Sequence, residues 1–143
     1  MLSPRAPDRG TVLLLFPAAA LVMVVLGALV VDVTLSHVRA KELEAVASSA
    51  ANDALAALDV GHLRSTGELR IDDRRAAVIV HQSVAAGPLP SATVDAVTVT
   101  SVGGRPVVAV TLTLVVDLVM APALPGDLDS TTITRTRTAT VLG

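Results

Sequence analysis

The chain has 143 residues and a formal net charge of −2. That is enough for one small domain with an appendage, and too near neutral to draw in nucleic acid over distance. It has no cysteine, which excludes disulfides, thiolate catalysis and Cys-based metal sites; it is 52% hydrophobic but Phe16 is its only aromatic residue, so Val, Leu, Ile and Ala must build the core, with less burial per side chain and no platform for stacking bases.

Residues 11–31, TVLLLFPAAALVMVVLGALVV, carry no charge. At helical rise they reach about 30 Å, the thickness of a bilayer hydrocarbon core. The apolar part of a signal peptide is about 7–15 residues long and ends at a small-x-small site. Here Ala18-Ala19-Ala20 lies in mid-run and Val31-Asp32-Val33 closes it. The run is therefore read as a retained transmembrane helix, ahead of a cleaved signal or a buried soluble helix. Pro17 removes the hydrogen bond to the Leu13 carbonyl and predicts a kink, of a kind membrane helices tolerate, so a harmless kink is preferred to a functional hinge. Arg5 and Arg9 on one side balance Arg39 and Lys41 on the other. Arg9 lies closer to the hydrocarbon and Asp32 marks its far boundary. Residues 1–10 are accordingly expected as a cytoplasmic tail, with the rest of the chain beyond the cytoplasmic membrane.

Residues 32–60 contain neither Gly nor Pro and are rich in helix formers. Leu35, Val38, Leu43, Val46, Ala50, Ala54 and Leu58 recur at nearly helical steps. The span is expected to continue as one helix from about 11 to 59, roughly 70 Å long, stopped by Gly61. Its Ala-rich stripe lets another backbone come close, either the chain's own C-terminal domain or a neighbouring subunit. Residues 61–71 read as a linker. The small extracytoplasmic domain then fills 72–143. Asp72 and Asp73 predict a capped helix start, and Gly87-Pro88 a stop. A helix over 73–86 is the reading, although Ala77-Val78-Ile79-Val80 also suits a strand.

From residue 93 the period changes to two. Strands are predicted at about 93–102, 105–118 and 130–142, with a hairpin turn at Gly103-Gly104. Val108, Val110, Leu112, Leu114, Val116 and Leu118 form one face, and Ala109, Thr111, Thr113 and Asp117 the other. Residues 119–129, with Pro122, Pro125 and Gly126, read as a loop. The tail places Thr132, Thr134, Thr136, Thr138 and Thr140 on one side and Ile133, Arg135, Arg137, Ala139 and Val141 on the other. Three strands cannot bury their apolar face alone, so residues 35–60 should lie across them. The fold class is α+β: a long transmembrane helix continuing into a small antiparallel sheet domain, the architecture of type IV pilin-like subunits.

The segment RGTVLLLFPAAALVMVVLGALVVDVTLSHVRAKELEAVASSAANDALAAL resembles the N-terminal region of TadE/TadG-like proteins. The resemblance rests on Arg9-Gly10, Pro17, Gly27 with Asp32, and the Ala-rich AANDALAAL helix, and covers about residues 9–60. It implies a minor pilin-like component of a Flp (tight adherence) pilus system. The implied partners are other pilin-like subunits, membrane platform proteins and the lipid bilayer, with no cofactor. Pilin precursors are typically cut after a Gly, which makes Gly10 and Thr11 a possible processing junction. They typically carry Glu five residues on, where this chain has Leu15. TadG-like members generally lack that Glu, so the resemblance implies an accessory subunit.

Asp32 is the side chain to single out: a hydrated carboxylate at the membrane edge, or an assembly contact with a partner subunit. His37, His62 and His81 are too widely spaced for a local metal motif and read as hydrated surface residues. Asp72 and Asp73 point apart on a helix, and capping explains them. Arg135 and Arg137 read as a solvated edge that resists aggregation, with an anionic partner as the alternative. No phosphate-binding Gly loop and no nucleophile elbow is present, so the chain reads as a non-enzyme. An anchored extracytoplasmic binding domain unrelated to pili is the second function class.

Overall fold

The first helix, α1, runs from Arg9 to Ala54 and stays helical through Pro17. The computed structural model describes residues 9–119 and 129–141, with side chains from Leu15 onward. Residues 1–8 of the expected tail 1–10, most of the expected loop 119–129, and residue 142 of the expected last strand lie outside the described residues, and residues 9 and 10 of that tail belong to α1. Among the described residues α1 is the one helix long and apolar enough to cross a membrane.

Helix α1 has two kinds of surface. Leu15, Phe16, Leu21, Met23, Leu26, Leu29 and Val31 are exposed, as residues awaiting lipid would be. From Ala40 onward one face is buried: Leu43, Val46, Ala47, Ala50, Ala51 and Ala54. Thr34, at the change-over, satisfies its hydroxyl by donating to the Val30 carbonyl one turn back at 2.7 Å, which costs the helix little.

The far end of α1 corrects the expectation of one helix to 59 and a linker from 61. The α-helix stops at Ala54, tightens into a 3₁₀ turn over Leu55–Ala57, and leaves helical geometry at Leu58. Leu58 then bridges to Ile71. Asp59 N–H donates to the Arg70 carbonyl at 2.8 Å, and Asp72 N–H to the Ala57 carbonyl at 3.0 Å. Between these clasps lies a second helix, α2, Val60–Thr66. The Asp59 carboxylate caps it by accepting from His62 N–H at 2.9 Å. Gly61 is therefore inside a helix. The stop is Gly67, left-handed at φ 76°, whose N–H returns to the Leu63 carbonyl.

The third helix, α3, spans Asp73–Ala86 and settles the helix-or-strand question. Asp72 Oδ1 accepts from Arg75 N–H at 2.9 Å, and Gly87 N–H donates to Val84 O at 3.1 Å before Pro88 ends the run. Asp72→Ala is expected to destabilise the domain by about 1 kcal/mol, read as faster amide exchange in the first turn of α3.

Strands β1 (Thr93–Val102), β2 (Arg105–Asp117) and β3 (Ser130–Thr140) form an antiparallel sheet in the order β1-β2-β3. Gly103 and Gly104 both have positive φ, 60° and 77°, which a two-residue turn of this hand requires. A bulge between Val94 and Ala96 sets Asp95 out of register. Val108, Val110, Leu112, Leu114 and Val116 of β2 are buried in one cluster with the inner faces of α1 and α3. The molecule is thus α+β, with α1 and α3 on one face of the sheet.

Candidate functional site

The expected alternation of β3 is present, and its consequences differ from the expectation. The register pairs Thr111 with Thr136, Thr113 with Thr134 and Ala109 with Thr138, so these side chains share the face away from the helices. The hydroxyls of Thr111 and Thr136 lie 2.9 Å apart, as do those of Thr113 and Thr134. Thr113 also donates to Asp95, which the bulge has brought onto the same face. This is a hydrated outer face with its polar groups paired across strands.

Arg135 and Arg137 face the helix side, opposite Leu112 and Val110. Arg137 Nη2 pairs with the Glu44 carboxylate of α1, and Arg135 Nη1 donates to the Thr134 carbonyl at 2.9 Å. Arg137 is a partly exposed residue of an edge strand, and its anionic partner is the chain's own helix. Both members of that pair remain more than 40% exposed, at 41% and 43%. A double-mutant cycle on Glu44 and Arg137 is expected to give a coupling of only about 0.2–1 kcal/mol, shrinking as salt is added. Its value is positional, fixing β3 against α1.

Asp32 is 7% exposed and is the buried charged side chain among the described residues. Its Oδ1 accepts the backbone N–H of Val119 at 3.0 Å. The reading of Asp32 as a simply hydrated carboxylate is overturned. The physical reason lies at the end of β2. Beyond Asp117, Leu118 N–H still reaches the Asp129 carbonyl at 2.9 Å, but the N–H of Val119 needs an acceptor from elsewhere. A helix carboxylate supplies one, and the bond is charge-assisted. Asp32→Ala leaves that N–H unsatisfied and is expected to cost about 1–3 kcal/mol, whereas Asp32→Asn keeps an acceptor and should recover part of the loss. Urea titration of the full chain in micelles, followed by amide exchange in β2, measures both.

The Ala-rich stripe of α1 also finds its contacts within the chain. Ala47, Ala50, Ala51, Ala54 and Ala57 pack in one cluster with Ala76, Val80 and Val84 of α3. Asp53 Oδ2 accepts from Ser83 Oγ at 2.6 Å across the same seam. Gly10 and Thr11, the possible processing junction, lie in the first turn of α1.

His37 and His81 are exposed, and His62 is half-buried with its Nε2 3.8 Å from Glu68 Oε2. The three histidines are not brought together. Among the described residues no group of three or more His, Cys, Asp or Glu is placed to hold a metal ion. The contacts Glu44–Arg137 and Asp32–Val119 join residues 93 and 87 positions apart in sequence. Local spacing gives no signal for either, although Arg on the apolar side of an otherwise Thr-lined strand marks Arg137 as unusual. Compared with protein-family models, curated proteins and solved structures, the chain has no match.

Proposed function

We propose that this chain is a single-span, minor-pilin-like accessory subunit of a bacterial Flp-type pilus or related secretion apparatus. It acts by contacts between helices in the membrane and between subunits outside it, without catalysis. The observation that carries the reading is the division of one helix. Helix α1 is apolar and exposed from Leu15 to Val31, and from Ala40 to Ala54 it is the spine of its own sheet domain. Such a helix anchors a subunit and fixes the angle at which its domain leaves the bilayer. The apolar part requires lipid or other helices around it. The resemblance of residues 9–60 to TadE/TadG-like proteins supports the same partners: other pilin-like subunits and membrane platform proteins, with the N-terminus cytoplasmic and the domain extracytoplasmic. Leu15, in place of the pilin carboxylate, favours a subunit that stays in the membrane over one that polymerises.

One observation favours the second reading, an anchored binding domain unrelated to pili. The Ala seam that a neighbouring helix would use is already buried in the chain's own core, among residues of α3 and the sheet. Deletion of the gene separates the two: loss of surface pili, restored by complementation, supports the pilus subunit, and unchanged piliation with intact secretion sinks it. Mass spectrometry of the mature N-terminus defines the anchor. A start before Gly10 means an uncut span, a start at Thr11 means prepilin-type processing, and a start beyond about residue 30 means a secreted protein.

A further inference from the structure

We propose that the C-terminal end of β2 is a lipid-contacting surface, so that the sheet domain is seated in the bilayer interface beside α1 and does not stand clear on a stalk. The inference rests on the reading of α1 as a membrane span.

Three observations carry it. The Asp32–Val119 bond, at 3.0 Å, ties the end of β2 to the residue immediately after the uncharged run 11–31. Val119 therefore lies at the depth of the hydrocarbon boundary, and the headgroup layer extends only about 5–8 Å beyond it. Next, α1 offers no joint at which the domain could swing away. It is unbroken to Ala54 and has neither Gly nor Pro between Gly27 and its end. Its buried face begins at Ala40, about 12 Å along the axis from Asp32. Finally, two apolar side chains at this depth are exposed, Val119 at 63% and Val33 at 62%, while the neighbouring exposed carboxylates Asp117 and Asp129 suit the hydrated headgroup layer. Single exposed valines elsewhere, such as Val60, Val78 and Val102, are ordinary surface residues. Val33 and Val119 differ in adjoining the apolar run of α1 through the Asp32 contact. An apolar rim continuous with a membrane span is solvated best by the same lipid.

The orientation follows. The strand end at Asp117 faces the bilayer and the Gly103-Gly104 hairpin, at the other end of β2, faces away from it. Val102 beside that turn is thus an internal aqueous reference.

The absence of cysteine makes a direct test clean. Single variants Leu26→Cys, Val119→Cys and Val102→Cys of the full chain are nitroxide-labelled and reconstituted into phosphatidylcholine vesicles. Collision with oxygen, which concentrates in lipid, is compared with collision with a water-soluble nickel chelate. The expected order of oxygen-to-nickel preference is residue 26 above 119, and 119 several-fold above 102. A label at 119 as open to nickel as the one at 102, with 26 in lipid, overturns the seating and leaves the span intact. A label at 119 shielded from both reagents, with spin–spin broadening, assigns the surface to a second copy and also overturns it. A label at 26 open to nickel removes the span, and the seating with it.

Discussion

Leu112→Ala is expected to lower the stability of the sheet domain by about 2–5 kcal/mol, the range for truncating a fully buried leucine. Leu112 is 0% exposed and sits at the middle of the central strand, paired with Val94 on one side and Arg135 on the other. Its cavity would be lined on the strand by Val110 and Leu114 and roofed by the helices, with Leu43 and Val80 among the other fully or nearly fully buried members of the cluster. None of the buried residues is aromatic. Valine and alanine are short, and a neighbour cannot swing in to fill the space as a flexible methionine would. The loss should therefore fall toward the upper part of the range. The chain lacks tryptophan and tyrosine, so the measurement is amide exchange of β2 in full-length protein in micelles. A loss of 2 kcal/mol already speeds exchange by roughly 30-fold where exchange follows global opening. The apolar segment before Asp32 should keep its helical signal, because lipid or detergent supports it independently of the sheet. Protection unchanged in β2 would falsify the placement of Leu112 in the core.

The elements that were legible in the sequence are those whose neighbours impose a period. Strand β2 is covered on one face and open on the other, so Val108 to Val116 alternate with Ala109, Thr111 and Thr113. Its partner strands, the hairpin turn and the Asp72 cap follow from equally local chemistry. The end of α1 was not legible, because a long-range clasp decides it. Leu58 bridges Ile71, and Ala57 accepts from Asp72. These contacts draw the chain out of the helix before Gly61 is reached. Asp59 carries a capping carboxylate, but a carboxylate there suits a solvated helix face equally well. The same limit applies to the site. A charge at the edge of an apolar run announces Asp32, but its acceptor role depends on Val119, just past the end of β2 and 87 residues later. The Ala seam is visible as a seam, and alanine offers the same small surface to any partner, so composition does not say which helix fills it.

That ambiguity makes Ala50→Leu the more discriminating substitution. Ala50 is 0% exposed and lies one helical turn from Asp53, whose carboxylate meets Ser83 of α3. Helices meeting through alanine can approach to the short end of the usual ~8–10 Å spacing, which leaves no room for a leucine side chain. The substitution is expected to cost about 1–3 kcal/mol by overpacking, with α3 pushed off α1 and the Asp53–Ser83 hydrogen bond broken. Ala56→Leu supplies the control. It is the same change on the same stretch of chain at an exposed position, and should stay within about 0.5 kcal/mol of the parent. Urea titration of both variants in micelles, followed through amide exchange in α3, reads the difference. If the seam served chiefly a neighbouring subunit, Ala50→Leu would leave the isolated protein as stable as Ala56→Leu and would act only on assembly. The burial of Ala47, Ala50 and Ala54 in one core with Ala76 and Val80 requires the opposite result, with the isolated protein losing stability before any partner is present. Contacts with neighbouring subunits would then fall to the surfaces the core leaves open among the described residues: the apolar helix from Leu15 to Val31, the threonine-lined outer face of the sheet, and the outer edges of β1 and β3.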